Sequence, residues 1–350
     1  MSQRRDVVML SGSYWPREGG QERQTKFVLE ELSRRGWRCA VVTQALPDHP
    51  RHETINGVEV HRVGLLWAFR NVPRLGMVIA AGGAIEAAVR LRPRTIWSMM
   101  LGSQALAGAV ASGLVGARHV VRIAGGGSEA HRSEAYARAA SPLARVAITA
   151  LLATRPVMTA PARHLLKDVE DTFDTEGVEM AVVPNGVVPA PPSSGRERVA
   201  LWYARSGPDA GDELFRAVAE RLPQERFKVM GRRVEDVPDN VENLGWVDHP
   251  EELMGRVGVL MNTQRTEGSP NAALQAISAG TPVVGFDNAG IVELAADHPR
   301  HVRAVPFDDT DAMASAVQAV LEEGGGLPPA AVPTPDEVAT RWAAILEGTR

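Results

Sequence analysis

Short apolar runs alternate along this chain with longer segments in which apolar residues recur every three or four positions. Asp6–Gly12 predicts a strand, the spacing from Glu22 to Arg35 a helix, and Arg38–Thr43 a second strand, which together make a βαβ unit. Gly36 falls where a helix-terminating glycine is expected. The alternation continues with a strand at Val58–Val63, a helix around Leu75–Leu91, a strand at Thr95–Met99, a helix near Gln104–Val115 and a strand at His119–Ile123. Helical spacing follows at Pro142–Thr154 and Ala162–Val169, and the strand-like Met180–Val183 runs into Pro-Asn-Gly. This pattern predicts an α/β fold with a doubly wound parallel sheet.

A stretch rich in proline and serine, Val188–Arg196, has the composition of a linker. Beyond it a second series begins, with strands at Val199–Tyr203, Arg226–Met230, Val241–Leu244, Gly258–Asn262 and Pro282–Asp287. Helices at Glu213–Leu222, Pro250–Gly255 and Pro270–Ala279 are interleaved with them. Two Rossmann-like domains are therefore expected, at 1–187 and 188–334, followed by a helix in 335–350 placed to pack back across the cleft between them.

At 350 residues and 44% hydrophobic content, the chain has enough apolar surface for two cores. Its single cysteine, Cys39, rules out an internal disulfide and reads as a small core residue, which suits a reducing cytoplasm. No unbroken apolar run approaches the ~18 residues of a membrane span, so a soluble protein is expected. The net charge of -4 is unevenly spread: residues 1–182 hold 23 Lys+Arg against 17 Asp+Glu, and 183–350 hold 15 against 25. A basic first half could meet an anionic membrane face or a phosphorylated acceptor. The stretch Trp67–Arg94, with Arg70, Arg74, Arg90, Arg92 and Arg94 among apolar residues, fits either that role or an ordinary solvated surface. Nucleic acid is not an expected partner, because the basic excess is modest and carries no interleaved aromatic stripe.

Two segments carry chemistry. In the first, Gly19 and Gly20 stand directly before a helix, where glycine lets a backbone approach a phosphate and the helix start offers unpaired amides. In the second, Glu267-Gly268-Ser269-Pro270-Asn271 leads into a helix that Gly280 stops. Ser269 reads as its N-cap, Pro270 as its first residue, and Asn271 and Gln275 share one face. Such a helix start can take a diphosphate on its amides while Glu267 accepts hydrogen bonds from sugar hydroxyls; the same residues also suit a plain, well-capped core helix. Gly125-Gly126-Gly127 follows a strand and reads as a cleft-lining or merely flexible turn. Asp309-Thr310-Asp311 has the D-x-D spacing of some metal sites but lies at a helix start, where capping is the simpler role.

These segments together resemble the retaining glycosyltransferases of family four, which have the GT-B fold of two Rossmann-like domains. Tyr14–Glu22 is similar to that family's Y-x-P-x-x-G-G-x-E opening, Pro184-Asn185-Gly186-Val187 to its step into the second domain, Glu267–Val284 to its acidic donor-site motif, and Asn288–Glu293 to its following G-G-x-x-E segment. The resemblance covers most of the chain. It implies that Glu267 holds hydroxyls of the donor sugar, that Arg205 meets the donor diphosphate, and that Gly19 and Gly20 belong to the loop that closes on the phosphates. It further implies a donor site in the second domain, formed with Gly268, Ser269, Pro270, Asn271 and Gln275; Arg122, Gly125 and Gly126 are candidate contacts to acceptor or phosphate. No cofactor or metal is implied: the nucleoside-diphosphate sugar is the substrate, and the acceptor is a hydroxyl on a polysaccharide, lipid carrier or small metabolite.

Three positions depart from the family pattern. Ala210 stands where a lysine pairs with the arginine, Gln275 where a second glutamate falls, and Ala124 where a histidine is common. Gln275 can still bond ribose hydroxyls. Loss of a positioned cation commonly costs about 2.7–4 kcal/mol of transition-state stabilisation, and Arg122, Arg232 or Arg233 are the cations available to replace it. The expected activity is metal-independent, retaining glycosyl transfer on the cytoplasmic side of the cell envelope. The alternative is a GT-B protein that binds nucleotide sugars without turning them over.

Overall fold

A computed structural model describes residues 4–16, 19–64, 73–123, 142–190, 195–204, 210–324 and 326–348. These residues form two compact units: one takes in the residues up to 123, 142–185 and those from 335 onward, and the other takes in 186–334.

The first unit holds an eight-stranded sheet among the described residues. Its strands are β1 (Val7–Leu10), β2 (Cys39–Gln44), β3 (His52–Ile55), β4 (Val58–Val63), β5 (Thr95–Met99), β6 (Arg118–Arg122), β7 (Val157–Ala160) and β8 (Met180–Val182). They lie in the order β3-β4-β2-β1-β5-β6-β7-β8. β1, β5 and β7 are buried along their whole length, which is why they read as unbroken apolar runs rather than as alternations. Every pairing is parallel except β3 with β4. The sequence pattern did not mark β3, yet its signal is present: Asn56 and Gly57 both take positive φ, 48° and 85°, as a two-residue hairpin turn requires.

Helices α1 (Gly20–Arg34), α2 (Pro73–Leu91), α3 (Ser103–Val115), α4 (Pro142–Ala153) and α5 (Arg163–Thr172) cover this sheet. Cys39 is buried in its core, as expected. The second unit contains a six-stranded, wholly parallel sheet: β9 (Glu197–Ala204), β10 (Arg226–Gly231), β11 (Val241–Gly245), β12 (Val257–Asn262), β13 (Val283–Phe286) and β14 (Val302–Val305), in the order β11-β10-β9-β12-β13-β14. Its helices are α6 (Asp212–Arg221), α7 (Pro250–Met254), α8 (Asn271–Ser278), α9 (Ala289–Asp297) and α10 (Thr310–Glu322). Trp202 of β9 stacks on Phe215 of α6 with ring centres 4.3 Å apart, and Phe227 meets Phe215 edge-on.

The last helix, α11 (Pro335–Glu347), belongs to the first unit. Val338, Ala339, Trp342 and Leu346 are its buried face. Trp342 packs on Trp97 at 4.2 Å, the Thr95 hydroxyl donates to the Leu346 carbonyl at 2.8 Å, and Arg35, just past the end of α1, pairs with Asp336 at 2.7 Å. No helix among the described residues is long and apolar enough to cross a membrane.

Candidate functional site

In an open parallel sheet, ligands bind beyond the carboxyl ends of the strands where the strand order reverses. In the second unit that point lies between β9 and β12, because β9 leads outward to β10 and β11 while β12 leads the other way. Leu260 and Met261 of β12 pair with Leu201 and Trp202 of β9, so the two strands end side by side. The loop leaving β12 carries Glu267.

That loop is tied down at several points. The Trp202 indole donates to the Thr263 hydroxyl at 2.9 Å, and this hydroxyl donates to the carbonyls of Ala210 and Gly211, each at 3.2 Å. The Gln264 amide donates to the Asn262 side chain at 3.2 Å, and the Gln264 carbonyl accepts from the Asn288 side chain at 2.9 Å. Asn288 also caps α9, its side-chain oxygen accepting from the Ile291 amide at 3.0 Å. Gly290, in the first turn of that helix, lies against Glu267: a β-carbon there would stand 2.7 Å from the Glu267 carbonyl oxygen. Glu267 is thus held by its backbone between β12 and the start of α9.

The helix that follows begins one residue later than expected. Asn271 is its first residue, and Pro270, with φ -76° and ψ 83°, occupies the N-cap position that the sequence assigns to Ser269. Pro270 supplies no side-chain cap to this helix. A proline ψ of 83° lies outside the helical range, so Pro270 cannot be the first helical residue, and its carbonyl instead accepts the first helical bond, from Leu274 at 2.9 Å. Gly268 is buried, whereas Ser269, Asn271 and Gln275 are half-exposed. The arrangement places a carboxylate, a buried glycine and an N-terminal helical turn in one short segment, where a helix start can receive an anionic group and a carboxylate can accept from hydroxyls.

Arg205, which the resemblance places against the diphosphate, lies outside the described residues, as do Gly125 and Gly126. Ala210 is described and buried, its carbonyl engaged by Thr263. Of the cations named to stand in for the missing lysine, Arg232 is paired with Asp212. Arg265, which the sequence did not mark, sits two residues before Glu267 but is taken up by Glu213 at 3.0 Å and Asp308 at 3.6 Å, over the Phe307 ring.

In the first unit, Gly19 is the N-cap of α1, and the Glu22 carboxylate folds back beside it. Burial holds that carboxyl above its usual range, opposed by hydrogen bonds from its own amide and the Ser13 hydroxyl. Arg122 is buried at the end of β6, where it donates to the Val183 carbonyl at 3.1 Å and the Asn185 side chain at 2.7 Å, beneath the Trp342 ring at 5.1 Å. Burial lowers its guanidinium to about 9. The D-x-D segment serves the helix: Asp309 caps α10 by accepting from the Ala312 amide at 2.8 Å, and Asp311 pairs with Arg221. No group of three or more metal-ligating side chains occurs among the described residues.

Comparison with known proteins agrees with this architecture. Residues 19–186 match the family model for the glycosyl transferase 4-like domain, and residues 198–323 match the one for glycosyl transferases group 1. No curated protein sequence matches the chain. Among solved structures, sucrose-phosphate synthase from Thermosynechococcus elongatus superimposes with a TM-score of 0.74 at 16% identity, covering 99% of this chain and 97% of that one. HepE of Anabaena, in complex with UDP and glucose, gives 0.69 at 15% identity over 99% and 100%. WaaG, a glycosyltransferase involved in lipopolysaccharide biosynthesis, gives 0.64 at 16% identity over 98% and 95%. At such identities the structural likeness speaks to the fold, which is GT-B. With the two matched domains, the chain belongs to the GT-B glycosyltransferases of the family-four type.

Proposed function

We propose that this glycosyltransferase moves a sugar from a nucleoside-diphosphate donor to a hydroxyl acceptor with retention of anomeric configuration, without a metal. The observation that carries the reading is the placement of Glu267. It lies in a braced loop at the reversal point of the second sheet, directly ahead of a helix to which Pro270 supplies no side-chain cap. The binding of UDP and glucose by HepE, a structural neighbour, supports a donor of this class.

In this reading the amides at the start of α8 receive the diphosphate, and the Glu267 carboxylate accepts hydrogen bonds from hydroxyls of the donor sugar. The bond between the anomeric carbon and the phosphate oxygen breaks, and its electron pair leaves with the diphosphate through an oxocarbenium-like state. The acceptor oxygen then bonds to that carbon on the same face, and its proton passes to the departing diphosphate. Arg205 is the residue we assign to the charge that develops on the leaving group. The acceptor is a hydroxyl on a polysaccharide, lipid carrier or small metabolite, and a cytoplasmic location, with or without contact at a membrane face, fits such a substrate.

A second reading rests on Ala210: a buried methyl group stands where the family has a cation, so the protein could bind donors without transferring from them. Donor turnover in the presence of a chelator, with product configuration read by NMR, tests both. Release of nucleoside diphosphate, increased in Ala210→Lys, and an axial-to-axial or equatorial-to-equatorial outcome support retaining transfer. Tight donor binding with no turnover in either protein supports the second reading, and an inverted product overturns the first.

A further inference from the structure

Within the first unit, a cavity of about 140 Å³ opens beside the carboxyl ends of β1 and β2, under α2 and against the start of α3. One wall is apolar, formed by Leu10, Val42, Val63 and Ala84. The other is polar, lined by Thr43, Gln44, Ser103 and Gln104, with no ionisable group among the described residues. The side-chain amides of Gln44 and Gln104 converge over Gly12, and a β-carbon on Gly12 would stand 2.9 Å from the Gln104 amide nitrogen.

Two features suggest that this wall awaits a ligand. Thr43 is 4% exposed, yet no side-chain hydrogen bond joins it to another described residue. The start of α3 has no side-chain cap, since Gly102 occupies the N-cap, and its first backbone acceptor bond is that of the Leu106 amide to Gly102. Buried polar groups need partners, and both donors and acceptors line this wall, where the Ser103 hydroxyl donates to the Gln104 side-chain oxygen at 3.1 Å.

We infer that this cavity is the acceptor subsite and that it takes an uncharged, hydroxylated ring; the inference rests on the glycosyltransferase reading above. A cavity near 150 Å³ accommodates benzene, so this open one has room for the ring of a monosaccharide or cyclitol with part of its substituents at the mouth. Hydroxyls both donate and accept, which is what primary amides and the Thr43 hydroxyl complement, while the apolar wall suits the C–H face of a ring. Among the described residues of the wall there is no cationic side chain, so a phosphate or carboxylate here would face only the partial charge of a helix terminus. A side chain on Gly12 would displace the Gln104 amide from this wall.

The test uses saturation-transfer NMR and competition titrations on the full chain with methyl glucoside, methyl galactoside, methyl mannoside and myo-inositol, against glucose phosphate and glucuronate. UDP affinity and the melting temperature are read in parallel. At least one neutral probe is expected to bind the wild type, and Gln44→Leu, Gln104→Leu and Gly12→Ala should each weaken it by about tenfold, the worth of one good hydrogen bond, with UDP affinity unchanged. Preference for the anionic probes, equal binding of neutral probes to wild type and variants, or no neutral binding by a protein that binds UDP would each overturn the inference while leaving the donor reading intact. Neutral binding that follows the variants in a protein that binds no nucleoside diphosphate would support the sugar subsite and remove the donor reading.

Discussion

Gly211 lies against Thr263 so closely that a β-carbon on it would overlap the Thr263 carbonyl, and its φ of 77° is one that side chains resist. This contact joins the loop after β9 to the loop after β12 across the point where the strand order reverses. Gly211→Ala is therefore expected to lose about 2 kcal/mol or more of stability, from backbone strain plus displacement of the Thr263 loop, and to weaken nucleoside-diphosphate binding. Gly245 serves as the control: its φ is 69°, but nothing lies within 4 Å of the added carbon, so Gly245→Ala should show the strain alone, about 1 kcal/mol, and normal binding. Urea titration and calorimetry on both variants check the pair.

Gly290 and Asn288 hold Glu267 from the other side. Gly290→Ala must push α9 away from the Glu267 backbone and is expected to reduce affinity for a sugar nucleotide more than for the bare diphosphate. Asn288→Asp keeps an oxygen for the Ile291 amide but loses the donor to the Gln264 carbonyl, whereas Asn288→Ala loses both. If the bond to Gln264 is what positions the loop, the two variants will share the binding defect. Only the alanine variant will also lose the cap, worth about 1 kcal/mol by denaturation.

How much of this was legible beforehand differs from one element to the next. Thr95–Met99 coincides with its predicted strand because burial on both faces leaves an unbroken apolar run. α9 and β14 went unmarked: α9 starts with Ala-Gly, and β14 is buried only at Val302 and Val305, so neither has a clear period. Glu267, Gly268, Asn271 and Gln275 could be picked out by motif. Thr263 and Asn288 could not be ranked, since their value lies in hydrogen bonds to backbone far away in the chain. Ser269 has the chemistry of a cap, but the cap position depends on the ψ of Pro270, which residue type does not specify. The pocket beside Gly12 brings together side chains from positions 10 to 107 and has no linear signature.

His119 gives the first unit a pH dependence of definite sign. It is buried beside Ser98, with Nε2 2.9 Å from the hydroxyl, and burial lowers it from 6.5 to about 4. The unfolded chain therefore takes up this proton at a higher pH than the folded one, and stability should fall as pH drops from about 6.5 to about 4, by about 3 kcal/mol, then level off. Denaturation curves across that range should be flatter for His119→Gln, which removes the titration and can still bond Ser98.

Trp342 ties the end of the chain to the first unit through Trp97 and the guanidinium of Arg122. Trp342→Ala is expected to destabilise that unit by about 3–5 kcal/mol, the usual cost of emptying a large aromatic site. Thermal unfolding followed by tryptophan fluorescence would register it, and Trp246, which is exposed in the second unit, should keep its emission.

The central claim is that the second unit binds a nucleoside-diphosphate sugar through the segment that begins at Glu267. Calorimetric titration of the wild-type chain with UDP, GDP and ADP, followed by the matching sugar nucleotide on Glu267→Ala, addresses it most directly. One diphosphate is expected to bind, with the sugar adding affinity that vanishes in the variant while the diphosphate is retained. Binding of none of the three, or a sugar contribution that survives the loss of Glu267, would contradict it.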